Sequence, residues 1–99
     1  MKRDYKTNFV FLMYDIADEE SESGKNRVVK VFKICKKYLQ HHQKSVFKGE
    51  ISPSRLLKLQ KELKDVIDEE LDFISIIKLK NKESFLEDVL GRKREDIFI

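Results

Sequence analysis

Residues 9–14, FVFLMY, are apolar without a break, and the run is closed by Asp15. Read as a strand over NFVFLMYDI, the side chains alternate. Phe9, Phe11 and Met13 line one face, and Val10, Leu12 and Tyr14 line the other. A strand apolar on both faces lies inside a sheet and needs cover on each side. That demand weighs heavily here, because 99 residues make a single domain with few elements to spare. Asp15 shares the parity of Phe9, Phe11 and Met13, which places a carboxylate at the rim of their face.

The acidic, Ser- and Gly-containing ADEESESG (17–24) reads as a loop. A helix is expected over KNRVVKVFKICKKYLQ (25–40), with Val28, Val31, Phe32, Cys35, Tyr38 and Leu39 on one apolar stripe. Cys35 falls inside that stripe, where packing is its role. HHQKSVFKGEI (41–51) is extended, and Gly49 is expected to bend it into two short strands. SPSRLLKLQKELKDVI (52–67) is a second helix, with Ser52 as N-cap and Pro53 at the first helical position. Leu56, Leu59, Leu63, Val66 and Ile67 recur at its steps of three and four. DEELD (68–72) breaks it, and FISIIKL (73–79) is a further strand. Beyond lie a short helical piece, KESFLEDVLG (82–91), a basic RKR (92–94), and EDIFI (95–99) as one more strand.

The order β-α-β-β-α-β predicts an α+β, ferredoxin-like sandwich over residues 1–80. Residues 81–99 extend the same domain with the short helix and terminal strand. Two amphipathic helices cover one face of a small sheet and no more. The other face of the first strand therefore needs a cover that the chain cannot supply. A symmetric homodimer packed sheet to sheet provides it.

Composition narrows the remaining classes. A chain of this length buries roughly two thirds of its unfolded surface, enough for one modest core without staples. The single cysteine excludes an intrachain disulfide and a cysteine-based zinc site, and suits a reducing compartment. No apolar run approaches the ~18 residues of a membrane span, and the N-terminus lacks a signal peptide's apolar core. The expectation is a soluble, cytoplasmic protein without a membrane partner. Net charge is +3, yet its layout is uneven. Asp15, Asp18, Glu19, Glu20 and Glu22 crowd one stretch, whereas residues 25–37 carry Lys25, Arg27, Lys30, Lys33, Lys36 and Lys37 and no acid. Such segregation marks either a solvated helix face or a surface for phosphates.

Asp15 is a candidate ligand for magnesium, which keeps several waters and is often held through one or two carboxylates. A two-fold axis near the end of the first strand would bring two copies of Asp15 together. His41 and His42 are adjacent on a strand, point to opposite faces, and share no metal without a bulge. Ser45 has no evident base partner. The helix face of Lys30, Lys33 and Lys37, with Arg92, Lys93 and Arg94, offers phosphate contacts and no base-edge readout, so binding should depend on salt and little on sequence.

FLMYDI in the first strand, KNRVVKVFKI opening the first helix, and QKSVFKGEIS before a leucine-rich helix resemble the CRISPR-associated endonuclease-two family. The resemblance spans about residues 8–80. It implies a ferredoxin-like homodimer, partnership with the CRISPR integrase, and contact with double-stranded DNA. For some members it also implies metal-dependent cleavage of RNA or DNA. By position, Asp15 is implied as the catalytic and metal-binding aspartate, with Mg2+ or another divalent cation as cofactor. Tyr14 is its neighbour, Lys25 and Arg27 match the basic pair opening the family's first helix, and Phe47 matches its SVF phenylalanine. The first basic residue is lysine here where the family usually has arginine, and YLQHHQ replaces the usual glycine, basic and apolar residues before SVF. Two functions stay open: a scaffold that bridges the integrase and holds pre-spacer duplex, and a magnesium-dependent endonuclease acting on DNA or single-stranded RNA. A ferredoxin-like regulatory dimer without nucleic acid is a third.

Overall fold

A computed structural model describes residues 7–79 and 86–91. Its elements run β1 (Asn8–Asp15), α1 (Glu22–Tyr38), β2 (Gln40–Gln43), β3 (Val46–Ile51), α2 (Pro53–Lys64) and β4 (Phe73–Leu79). The four strands form one antiparallel sheet in the order β2-β3-β1-β4. Each helix crosses between strands that are not sheet neighbours, which is the split β-α-β pattern expected of a ferredoxin-like sandwich. Both helices lie on one face. Among the described residues no helix is long and apolar enough to cross a membrane.

The doubly apolar strand is central, as its parity requires. Val10, Leu12 and Tyr14 point to the helices and are buried with Val31, Phe32 and Cys35 of α1, Phe47 and Ile51 of β3, and Leu56, Leu59 and Leu63 of α2. Burial pushes the Cys35 thiol up to about 12, so it packs as a small apolar group. The helices are also tied at their surface. Glu62 of α2 accepts hydrogen bonds from Lys37 Nζ at 2.6 Å and from the Tyr38 hydroxyl, and the Arg55 guanidinium lies 4.7 Å from the centre of the Tyr38 ring.

Three local expectations are corrected. Helix α1 begins at Glu22, three residues before the expected start, because the Ser21 hydroxyl accepts from Gly24 N–H at 2.9 Å and caps it. The same hydroxyl donates to the Asp18 carbonyl at 2.8 Å, folding the acidic loop back onto the helix. Gly24 is needed there, since a Cβ would lie 1.8 Å from the Asp18 carbonyl oxygen. The break between β2 and β3 falls at Lys44, whose φ of 40° makes the turn, while Gly49 lies within β3. Residues 86–91, expected in a short helix, have no regular secondary structure. Glu87 instead reaches His42 Nε2 at 3.4 Å and Lys48 Nζ at 3.5 Å. The basic triplet Arg92, Lys93 and Arg94 and the terminal strand lie outside the described residues.

Candidate metal and nucleic-acid site

Asp15 is the last residue of β1 and its side chain is exposed. The register pairs it with Phe73, and pairs Phe11 with Ile77 and Met13 with Ser75. Directly paired residues share a face, so Phe9, Phe11, Met13, Asp15, Phe73, Ser75 and Ile77 belong to the side turned away from the helices. Phe73 is 64% exposed and Ile77 46%. The acid therefore stands at one end of an apolar plate, with large side chains beside it in water. The odd face of β1 thus keeps part of its demand for cover.

Past Asp15 the chain is held tightly. Ile16 is buried, and Ala17 donates its N–H to Asp72 Oδ1 at 2.9 Å. The Ala17 carbonyl accepts from Arg27 Nη2 at 2.9 Å. Arg27 Nε donates to Asp72 Oδ2 at 2.8 Å, and Nη1 to the Ser23 hydroxyl at 2.7 Å. Burial alone would raise the Asp72 carboxyl. Hydrogen bonds from the Asp68 and Ala17 amides and from Arg27 outweigh it, and the net shift is downward. The signal for Asp72 in the sequence is an acid directly before an apolar strand. Nothing in the spacing indicates that it faces Arg27, so sequence reasoning missed it.

The other predicted residues divide. Lys25, Lys30 and Lys33 are exposed along α1, and none has an ion-pair partner among the described residues. Lys37 is exposed but paired with Glu62. Arg27 turns its donors inward, onto Asp72, Ala17 and Ser23. Tyr14 and Phe47 face the helices and stack with ring centres 6.3 Å apart, so they support the core beneath the site rather than a subunit interface. Desolvation raises the Tyr14 hydroxyl above its ordinary value. The two histidines do point to opposite faces: His41 packs edge-on to Phe32 at 5.0 Å, and His42 edge-on to Phe11 at 6.2 Å.

Among the described residues no three of His, Cys, Asp and Glu converge on one point. A soft or caged metal has no donor set there. A hydrated hard cation held through one carboxylate per chain fits the Asp15 rim.

The family model for the CRISPR associated protein Cas2 matches residues 8–85. The chain is 42% identical over 87 residues to the CRISPR-associated endoribonuclease Cas2 3 of Thermodesulfovibrio yellowstonii, covering 88% of this chain and 91% of the relative. It is 36% identical over 92 residues to the CRISPR-associated endoribonuclease Cas2 of Thermotoga maritima, covering 92% and 98%. A solved structure described as a crystal structure of Cas2 superposes with a TM-score of 0.74 at 32% identity, over 94% of this chain and 97% of the other. Cas2 from Streptococcus pyogenes superposes with a TM-score of 0.71 at 33% identity, over 84% and 99%. On sequence and fold together, the chain belongs to the CRISPR-associated Cas2 family.

Proposed function

We propose that this chain is an endoribonuclease of the CRISPR system whose chemistry depends on Asp15 and a divalent cation, and that it works as a homodimer. The observation that carries this reading is the position of Asp15, an exposed carboxylate at the end of an apolar sheet face. Relatives named as endoribonucleases support the reaction class. Pairing two such faces about a two-fold axis would set two copies of Asp15 near each other, making from two chains the pair of carboxylates that one chain lacks. The Asp15 carboxylates would hold Mg2+ or another hard divalent ion. When bound, that ion would neutralise phosphodiester charge and lower the pKa of its water. Lys25, Lys30 and Lys33 would hold RNA by its phosphates. Asp15→Ala should lower cleavage of a labelled single-stranded RNA by about a hundredfold or more, while the variant stays folded and dimeric. Cleavage at the wild-type rate by a folded Asp15→Ala dimer would exclude the reading.

A second reading has an observation of its own. Helix α1 exposes Lys25, Lys30 and Lys33, whereas the chemical equipment is one aspartate per chain. That balance suits a subunit that bridges the CRISPR integrase and holds pre-spacer duplex while the integrase performs the chemistry. Spacer integration with Asp15→Ala separates the two: unimpaired integration supports the bridging role, and lost integration by a DNA-binding dimer refutes its independence from Asp15.

A further inference from the structure

Asp72 is the most heavily bonded carboxylate described. Ala17 N–H and Arg27 Nη2 donate to its Oδ1 at 2.9 and 3.3 Å, and Arg27 Nε and Asp68 N–H donate to its Oδ2, each at 2.8 Å. Its side chain has no exposed surface, and that of Arg27 is 14% exposed. A closed ion pair of this kind carries a large desolvation penalty, so it is a poor device for stability alone. Its position suggests another use. Asp72 directly precedes Phe73, and Phe73 is the residue paired with Asp15. Ala17, two residues beyond Asp15, has its N–H bound by Asp72 and its carbonyl bound by Arg27. The backbone carrying Asp15 is thus fixed by strand pairing at Asp15 itself, by burial at Ile16, and by the ion pair at Ala17.

We propose that Arg27 and Asp72 are positioning residues that hold the Asp15 carboxylate in place through Ala17. The proposal rests on the reading of Asp15 as the cation ligand and reactive group. Arg27 then serves the reaction through geometry rather than by binding phosphate. Its planar fork is required, because Nε and Nη2 meet Asp72 while Nη2 also reaches the Ala17 carbonyl and Nη1 the Ser23 hydroxyl. A lysine would keep the charge and lose the fork.

The test uses the full chain with Arg27→Lys, Asp72→Asn and Asp15→Ala, each checked for folding by circular dichroism. Three quantities are read: RNA cleavage against Mg2+ concentration at saturating RNA, RNA affinity against salt, and Mn2+ binding by electron paramagnetic resonance. Arg27→Lys should lower kcat and weaken Mn2+ binding by about ten- to a hundredfold, the range for residues that orient a metal ligand. RNA affinity should stay at the wild-type value, which loss of a bidentate phosphate contact would not allow. Wild-type kcat and Mn2+ affinity in Arg27→Lys would overturn the proposal. So would a defect confined to RNA affinity, since Arg27 would then be a phosphate ligand through its fork. If Asp72→Asn does not fold, Arg27→Lys alone decides. If Asp15→Ala cleaves like wild type, the nuclease reading fails separately, and Mn2+ binding decides the clamp: weaker in Arg27→Lys upholds it, unchanged overturns it.

Discussion

At the scale of single residues, protonation of Asp72 is the change this fold should tolerate least. Its carboxylate accepts from two backbone amides and from Arg27, and protonation weakens all of those bonds at once. Because its folded-state pKa lies below the ordinary 3.8, its contribution to stability is fully present above that value. The contribution drains away as pH falls through the lower folded-state value. Urea midpoints measured from pH 7 down to pH 3 should therefore fall less steeply for Asp72→Asn than for wild type. At pH 7, Asp72→Ala should cost about 1–3 kcal/mol, the penalty for leaving part-buried donors without their acceptor. That is a large share of the stability of a domain this size. Equal midpoints for wild type and Asp72→Ala would show that the pair contributes nothing. Asp15 differs in kind, because it is exposed at a strand end and its loss removes no packing.

At the scale of elements, α1 divides its cations by role. Arg27 faces inward, Lys37 is tied to Glu62 across the helix pair, and Lys25, Lys30 and Lys33 stay exposed. Replacing Lys30 and Lys33 with alanine should weaken nucleic-acid binding uniformly across sequences. The slope of log affinity against log salt should drop by roughly one for each phosphate that is no longer neutralised. Filter binding at several salt concentrations measures this, and an unchanged slope would remove the helix from the interface. This division was only partly legible in residues 25–37, where Arg27 is the one arginine among lysines. What that arginine faces, an acid 45 positions away, leaves no mark in the local spacing. Periodicity, by contrast, located the buried stripe of α1, because Val31, Phe32, Cys35 and Leu39 can pack only if they share a face. The start of α1 was obscured by Ser21 and Ser23, either of which could cap a helix, and by acids that resemble a loop. Gly49 drew the expected bend away from Lys44 because a positive φ on lysine leaves no mark in the sequence. Strand parity did place Asp15 on its rim, since alternation is dictated by the backbone itself.

At the scale of the whole molecule, the helices satisfy one face of the sheet and leave Phe73 and Ile77 exposed on the other. An apolar face beside an exposed carboxylate suits an interface between two copies of this chain. Phe73→Asp should raise the dimer dissociation constant by at least about thirtyfold, as for truncation of one strong interface anchor. It should lower RNA cleavage in step with the dimer fraction seen by light scattering. A Phe73→Asp monomer that cleaves at the wild-type rate would place the whole site within one chain. The central claim is that two Asp15 carboxylates act together, and mixing subunits tests it most directly. Wild-type and Asp15→Ala chains are combined at fixed total concentration, unfolded and refolded together so that dimers form at random, and RNA cleavage is measured against the wild-type fraction. If both carboxylates are needed, activity follows the square of that fraction; a straight line would mean that each Asp15 acts independently, a curve above it that one per dimer suffices, and either would contradict the shared site.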